Sequence, residues 1–444
     1  MIKIKLTYIY DKIKSIYAQC FDYLKTNRFY SIVLLMKIWI KYLLGCILGI
    51  IAAIILPTEN LVLQKIIAFL TDFAIRFGRY MLLPLLFFSM TISVCNLREE
   101  NKLFKVALQT IGIIVLSSFL LMLIGLLSAL IVKLPRIPIS GEKVSSPITL
   151  GLVDNLSKLL PLSPFESLLD GAFLVPLYIF AGFAGAGFSS DRVVSKASYN
   201  LFDSLSHVCY LVMSFFVDML AIGMIAISCT WTLSFFALLK TGVYTGFIIM
   251  LFVDFVLIVG IIYPLIMRFV FKELHPYRIL YASIAPMLTA FFSSDSNLAL
   301  IVNIKHSKES LGIRRRLNSI VMPIFSSFGR GGTACVTAIS FIVILRSYSG
   351  LGIAFTDVIW IGLVSFGLSF VLGALPVGGT FVAISVICSL YGRGFDAGYL
   401  LLKPAIPLIC AVSCAIDTIT ALTGSYLIAS KNKWIERKDI KKYI

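Results

Sequence analysis

The apolar C-terminal half of this 444-residue chain is interrupted by short polar runs rich in Ser, Gly and Pro. One interruption is Ser293-Ser294-Asp295-Ser296-Asn297, followed by Phe328-Gly329-Arg330-Gly331-Gly332-Thr333; the other is Ala374-Leu375-Pro376-Val377-Gly378-Gly379-Thr380. Backbone can leave the helix at membrane depth only where protein or a water-filled cavity satisfies its N–H and C=O groups. Paired breaks of this kind point to the binding site of a solute transporter.

The breaks matter because their surroundings are membrane-like. Hydrophobic residues make up 59% of the chain and charged residues 14%, with a mean hydropathy of +0.97, far beyond the needs of a soluble domain. Apolar stretches run over about 32–56, 66–97, 103–132, 172–188, 200–238, 241–271, 282–304, 317–345, 356–390 and 398–430, and the long ones can cross a ~30 Å hydrocarbon core. The expectation is an all-α polytopic membrane protein with no separate soluble domain. Residues 1–31 carry scattered Lys and Arg and no short apolar core with a cleavage site, so they do not read as a signal peptide.

The net charge of +17 raises nucleic acid as a partner, but its placement argues for topology instead. With the N-terminus in the cytoplasm, alternation puts 1–31, 98–105, 189–199, 268–280, 305–316 and 431–444 inside, and these hold most of the 39 Lys and Arg. Parity then requires 282–304 and 356–390 to be re-entrant. The terminal segments, including Lys431, Lys433, Arg437, Lys438, Lys441 and Lys442 beside Trp434 and Tyr443, are expected against anionic headgroups or in solvent. Lys305 to Ser310 and Arg314 to Arg316 read as a cytoplasmic hinge whose charges are anchors, and Pro-rich 133–171 reads as an extracellular loop or broken helix.

Catalytic and metal signatures are lacking. The nine cysteines form no C-x-x-C pair, and Cys410 and Cys414, on one helical face, read as packing residues. His207, His275 and His306 make no metal-spaced cluster, and no G-x-S-x-G, H-E-x-x-H or Walker-type loop occurs. No metal, cofactor or enzymatic role is expected; a hydrolase would need Ser413 joined by distant partners.

From about 66 to 431 the chain resembles the dicarboxylate/amino acid:cation symporters, the glutamate transporter family. The landmarks are Tyr80-Met81-Leu82-Leu83-Pro84-Leu85, the tip Ser293-Ser294-Asp295, Met322-Pro323 ten residues before Thr333, and Leu422-Thr423-Gly424, in order and spacing. The resemblance implies eight spans plus two re-entrant hairpins in a homotrimer of the inner membrane, both termini cytoplasmic, moving elevator-fashion. It divides the chain into a basic segment 1–31, mostly scaffold spans at 32–272 (the third span and part of the sixth joining the transport domain), a transport-domain core at 280–430 and a tail at 431–444.

The family's coupling residues are missing at several positions. Its Asn-Met-Asp-Gly-Thr motif corresponds to Gly329-Arg330-Gly331-Gly332-Thr333, and its sodium-site Asp in the eighth span to Ala421. The Arg that holds an acidic side chain is Ser413, the Asp that holds the amino group is Cys410, and the Asn one turn on is Asp417. Sodium needs hard oxygen ligands, so both sodium coupling and an acidic substrate come into question. What is gained is Arg330, a membrane-embedded cation that needs a cavity and a partner, with Asp295 and Asp417 as candidates. It is read three ways: as a tethered cation in the place of bound sodium, leaving proton coupling through a carboxylate; as a bidentate clamp on a substrate carboxylate; or as a structural ion pair. The tip serines and their free N–H groups suit an anionic oxygen or simply cap two half-helices. Pro376, Val377, Gly378 and Gly379 read as a gate, and Thr333 as a ligand contact. Ser117 and Ser118 match positions bordering a third sodium site, but without their partners read as helix packing. The predicted function is symport of a small amino acid or dicarboxylate; a transporter-derived anion channel or sensor is the alternative.

Overall fold

The computed structural model describes residues 36–56, 61–132, 136–138, 160–169, 171–273, 275–348, 353–436, 438–439 and 443–444. The basic segment 1–31, most of 133–171 and part of the tail lie outside these. Among the described residues every named element is helical. The helices are α1 (Ile38–Ile55), α2 (Leu61–Arg79), α3 (Leu82–Glu99), α4 (Leu103–Ile131), α5 (Val175–Ser190) and α6 (Arg192–Lys240). They continue as α7 (Thr245–Val256), α8 (Tyr263–Phe269), α9 (Tyr277–Ser293), α10 (Ser296–Glu309), α11 (Arg315–Phe328) and α12 (Gly331–Tyr348). The last three are α13 (Phe355–Val371), α14 (Gly379–Tyr391) and α15 (Ile406–Lys431).

Helix is the default because each helix satisfies its own backbone in an apolar surrounding. Seven helical stretches among the described residues are long and apolar enough to cross a membrane: α1, α2 with α3, α4, α6, α7 with α8, α11 with α12, and α15 with the short turn before it. Large apolar side chains stay exposed along their outer faces, including Leu48, Ile51 and Ile54 on α1 and Leu108, Ile111 and Leu116 on α4. Such a surface is stable only against lipid. The chain is a polytopic membrane protein.

Departures from straight helix have local causes. The 66–97 stretch, expected as one span, divides at Tyr80-Met81 into α2 and α3. Between α7 and α8 the turn Leu257–Ile262 widens to a π-helix, and Pro264 follows it. Proline has no N–H for the carbonyl four residues back and would collide with it, so the ladder must loosen there. Pro323 does the same inside α11; its carbonyl accepts a hydrogen bond from the Tyr178 hydroxyl at 3.3 Å.

The centre of the bundle is α12 and α15. Residues Gly331 to Leu345 of α12 are all buried, and α12 packs on α4, α13, α14 and α15. α15 also packs on α9 and α11, while α1 and α2 lie along the 49-residue α6. The α12–α4 and α11–α15 approaches are close because of glycine: a side chain at Gly125 would fall 2.6 Å from the Cys335 carbonyl oxygen, and one at Gly424 would meet the Phe325 ring. Small residues at crossings let membrane helices gain packing contacts that apolar burial alone does not supply.

Two expectations for the polar ends are corrected. Lys305 and His306 are not exposed hinge residues; α10 carries both into the core, and Lys305 bonds Asp218 and the Ser214 carbonyl, each at 3.0 Å. Part of the described tail docks on the protein, while Lys431, Lys433 and Glu436 stay exposed. Ile435 bridges to Ile313, the Glu436 N–H donates to the Gly312 carbonyl at 2.9 Å, and Tyr443 is buried with its hydroxyl on Arg278. The tail pairs its backbone with the α10–α11 loop, which satisfies groups that solvent or lipid would otherwise have to.

Gly424→Ala is expected to lower stability by about 1–3 kcal/mol through overpacking against Phe325, read as a lower thermal midpoint in detergent. Adding Phe325→Leu should restore part of the loss; no loss in the single variant would contradict the close contact.

Candidate functional site

Two helical hairpins, α9–α10 and α13–α14, meet tip to tip. α9 ends at Ser293, and Ser294 turns the chain with φ of 52°. Asp295 then caps α10: its Oδ1 accepts from the N–H groups of Asn297 at 2.9 Å and Leu298 at 3.2 Å. A carboxylate there meets both the unsatisfied N–H groups and the positive end of the helix. The Ser293 hydroxyl donates to the Thr289 carbonyl at 2.6 Å and accepts from the Asp295 N–H at 3.2 Å. The second tip runs through Leu375-Pro376-Val377 to Gly378, whose φ of 71° suits glycine, and α14 begins at Gly379. Asp295 and Val377 form an antiparallel bridge, and the Pro376 carbonyl accepts from the Ser296 N–H at 3.1 Å and hydroxyl at 3.3 Å. The Asn297 amide ties the first tip to the Gly171 and Ala172 carbonyls at 3.0 and 3.2 Å.

Beneath the tips α11 and α12 are parted at Gly329 and Arg330. The start of α12 wedges between α4 and α15, which two glycines permit. A side chain at Gly331 would fall 2.8 Å from the Ser118 Cα, and one at Gly332 2.8 Å from the Ser413 carbonyl. Half-buried Asp417 of α15 closes that helix end: Oδ1 accepts from the Gly332 N–H at 2.6 Å and the Thr333 N–H at 3.3 Å, and Oδ2 from the Thr333 hydroxyl at 2.8 Å. Hydroxyls then continue from Thr333 to Thr380 at 3.5 Å and from Thr380 to Ser413 at 2.6 Å. The Ser413 hydroxyl also donates to the Cys410 carbonyl at 3.1 Å. Cys410, Ser413 and Asp417, at i, i+3 and i+7, share one face of α15.

Arg330 is 5% exposed and reaches both hairpins: Nη1 donates to the Leu375 carbonyl at 2.8 Å and Nη2 to the Ser296 hydroxyl at 3.0 Å. Its expected pairing with Asp295 or Asp417 is not made. Among the described residues no carboxylate lies within ion-pair distance of it. Each candidate already has nearer donors, because each caps a helix, and Asp295 has a cation of its own in Arg79, the last residue of α2. Among the described residues, the buried Nε of Arg330 has no hydrogen-bond acceptor.

The structure therefore gathers Ser293, Ser294, Asp295, Arg330, Thr333, Pro376, Val377, Gly378, Gly379, Cys410, Ser413 and Asp417 around the two tips and the helix break. Ser117 and Ser118 lie apart from the tips, against Gly331; the Ser117 hydroxyl donates back to the Ile114 carbonyl at 3.1 Å, and the buried Ser118 hydroxyl has no partner. Gly331 and Ala421 offer no side-chain oxygen where the resemblance calls for carboxylates, and the Asp417 carboxylate is engaged by the Gly332 and Thr333 donors. Sequence reasoning missed Arg79, Ser296 as the acceptor for Arg330, and Thr380. Arg79 had a readable signal, a cation inside an apolar stretch. So did Asp254, which is buried in α7 and accepts from the Ser128 hydroxyl at 2.8 Å, away from the tips.

Residues 34–429 match the sodium:dicarboxylate symporter family. The chain belongs to this family. It is a family of transporters rather than of enzymes. Over 417 residues, 86% of this chain and 85% of the relative, the protein is 24% identical to the L-cystine uptake protein TcyP of Bacillus subtilis (strain 168). It is 29% identical over 168 residues to neutral amino acid transporter A of Homo sapiens, covering 37% of this chain and 29% of that protein. It is also 29% identical over 122 residues to neutral amino acid transporter B(0) of Rattus norvegicus, covering 27% and 21%. The matched stretches thus span less than a third of either mammalian relative.

Asp295→Asn should cost about 3 kcal/mol, because it leaves the Arg79 cation without its buried partner. Arg79→Met combined with Asp295→Asn should recover much of that. Thermal midpoints of the three variants check this, and additive losses would exclude a direct pair.

Proposed function

We propose that this protein is a secondary active transporter that carries a small amino acid across the cytoplasmic membrane, with the substrate held between the hairpin tips, the start of α12 and the Cys410–Asp417 face of α15. The observation that carries this reading is the closure of two tips over a broken helix by separable contacts: one carbonyl of Pro376, one bridge at Val377 and one guanidinium. These few bonds can be made and unmade without unfolding either hairpin, as a gate requires.

In this reading α9–α10 and α13–α14 are re-entrant and the spans number eight, with 16-residue α5 as the short one. Both termini are cytoplasmic, residues 280–430 form the moving core against a scaffold drawn mostly from 32–272, and the assembly is a homotrimer working by an elevator motion. The basic loops support the orientation. A neutral amino acid is favoured because Ser413 offers a hydroxyl, not a guanidinium, to the substrate side chain, and because the relatives are named for neutral amino acids and L-cystine.

Coupling is to protons through Asp417, with Arg330 as a tethered cation that latches the tips. The oxygens of Asp417 are the ones whose loss of charge would release the Gly332 and Thr333 donors and loosen the start of α12. A dicarboxylate remains the second reading, because the free Nε of Arg330 could turn to a carboxylate when the tips part.

Uptake of radiolabelled L-alanine, L-cystine and succinate into proteoliposomes tests both readings. A proton gradient should drive amino acid accumulation whether or not sodium is present. Asp417→Asn should abolish the driven accumulation while leaving exchange of labelled for unlabelled substrate. Arg330→Met should keep the preference for neutral substrates. Accumulation that requires sodium would overturn the coupling, and loss of succinate selectivity in Arg330→Met would favour the carboxylate clamp.

A further inference from the structure

A second concave site lies where the α3–α4 turn, the α10–α11 loop and the C-terminal tail converge. Its cavity of about 640 Å³ is lined by Lys102, Lys308, Arg314, Arg315, Arg316 and Lys438, against only two carboxylates, Glu100 and Glu436. Outside the lining, Arg315 is met by Asp203 at 3.3 Å and the Lys308 ammonium lies 3.4 Å from the Tyr210 ring centre, but neither lining carboxylate discharges the remaining cations. Glu100 is shared between Lys102 at 2.8 Å and Arg316 at 2.7 Å, and Glu436 is an exposed, loose partner of Arg314 at 3.4 Å. Charges of one sign gather in a concavity at a cost that an anion removes.

The backbone points the same way. α11 begins with Arg314 as its cap and Arg315 and Arg316 in its first turn, with no acidic residue and no side-chain cap. α4 has Lys102 as its cap, again with no acidic residue in the first turn and no side-chain cap. Cations at the positive end of a helix are the reverse of the stabilising arrangement, whereas an anion would complete it. Burial pushes the Lys308 ammonium down to about 8, with Glu309 opposing and Arg315 and Lys438 adding to the effect.

We propose that this pocket binds a phosphate-bearing anion, gripped by Arg314, Arg316, Lys308 and Lys438, which clips the tail to the loop that follows the first hairpin. Phosphate is favoured over a carboxylate because several guanidinium forks and ammonium groups converge, enough to engage three or more oxygens. Trp434, with the Lys102 ammonium 5.0 Å from its ring centre, forms one wall and is of the amphipathic kind found at the membrane surface. The anion is therefore either the headgroup of an anionic lipid or a soluble phosphate compound. The inference does not depend on the transport reading.

The test uses the purified full-length chain in neutral detergent. Thermal midpoints are followed against pyrophosphate, with chloride at matched ionic strength as reference, and against dihexanoyl phosphatidylglycerol, with dihexanoyl phosphatidylcholine as reference. A rise with either probe beyond its reference supports the site; pyrophosphate alone identifies a soluble phosphate compound, and phosphatidylglycerol alone a lipid headgroup. Lys308→Gln with Arg314→Gln should raise the half-effective concentration by roughly tenfold or more. Lys438→Gln gives a milder check, since its ammonium already donates to the Lys308 and Glu309 carbonyls, at 3.3 and 2.9 Å, and should shift it severalfold. Responses no larger than the references, or unchanged in both variants, would overturn the proposal.

Discussion

Everything at the centre of this protein depends on how helix ends are satisfied where water is scarce. Three helices begin inside the bundle, α10, α12 and α14, and each leaves N–H groups that need acceptors. Asp295 serves α10 and Asp417 serves α12, while the second tip turns through Gly378 into α14. Neither carboxylate could be replaced by an apolar residue without leaving buried donors without partners. Because each cap comes from a tip or from α15, satisfying the backbone also brings the tips, the break and α15 to one place.

Two arginines follow from this arrangement. Arg79 balances the carboxylate of Asp295, which would otherwise be a buried net charge, and does so from α2. A contact between α2 and the first tip must break or travel if the hairpin moves relative to α2. Arg330 balances nothing directly; it joins the Ser296 hydroxyl of one hairpin to the Leu375 carbonyl of the other. One side chain thus reports on whether the tips are together. A cation carried on a side chain thus sits among the tips, and the side-chain carboxylates that the resemblance calls for at 331 and 421 are absent.

Much of this was legible in the sequence. The breaks at 293–297 and 374–380 and the parting at Gly329-Arg330 fell where polar and Gly/Pro residues interrupt apolar runs, since no other residues tolerate those conformations in a membrane. The burial of Arg330 and its place at the tips followed from its position in one such run. Its partners did not follow, because which of several acceptors lies nearest depends on angles between helices far apart in sequence. Asp295 and Asp417 read as partners of Arg330, not as helix caps, for the same reason; capping of α12 by Asp417 joins residues some eighty positions apart. The tail misled because Lys and Trp at a terminus suit a membrane surface as well as a protein groove. The pairing of Ile435 with Ile313 and of Glu436 with Gly312 places part of it in a groove.

The central claim is that the two tips must part for a solute to pass. It is tested by joining them. Ser294→Cys and Val377→Cys place one thiol on each tip; the eight described native cysteines are all buried, and with the ninth, Cys20, changed to Ser, a short bifunctional thiol reagent should act on the introduced pair. Cross-linking is expected to stop uptake in proteoliposomes, and cleaving a reducible cross-link to restore it. Uptake that continues with the tips joined would contradict the claim.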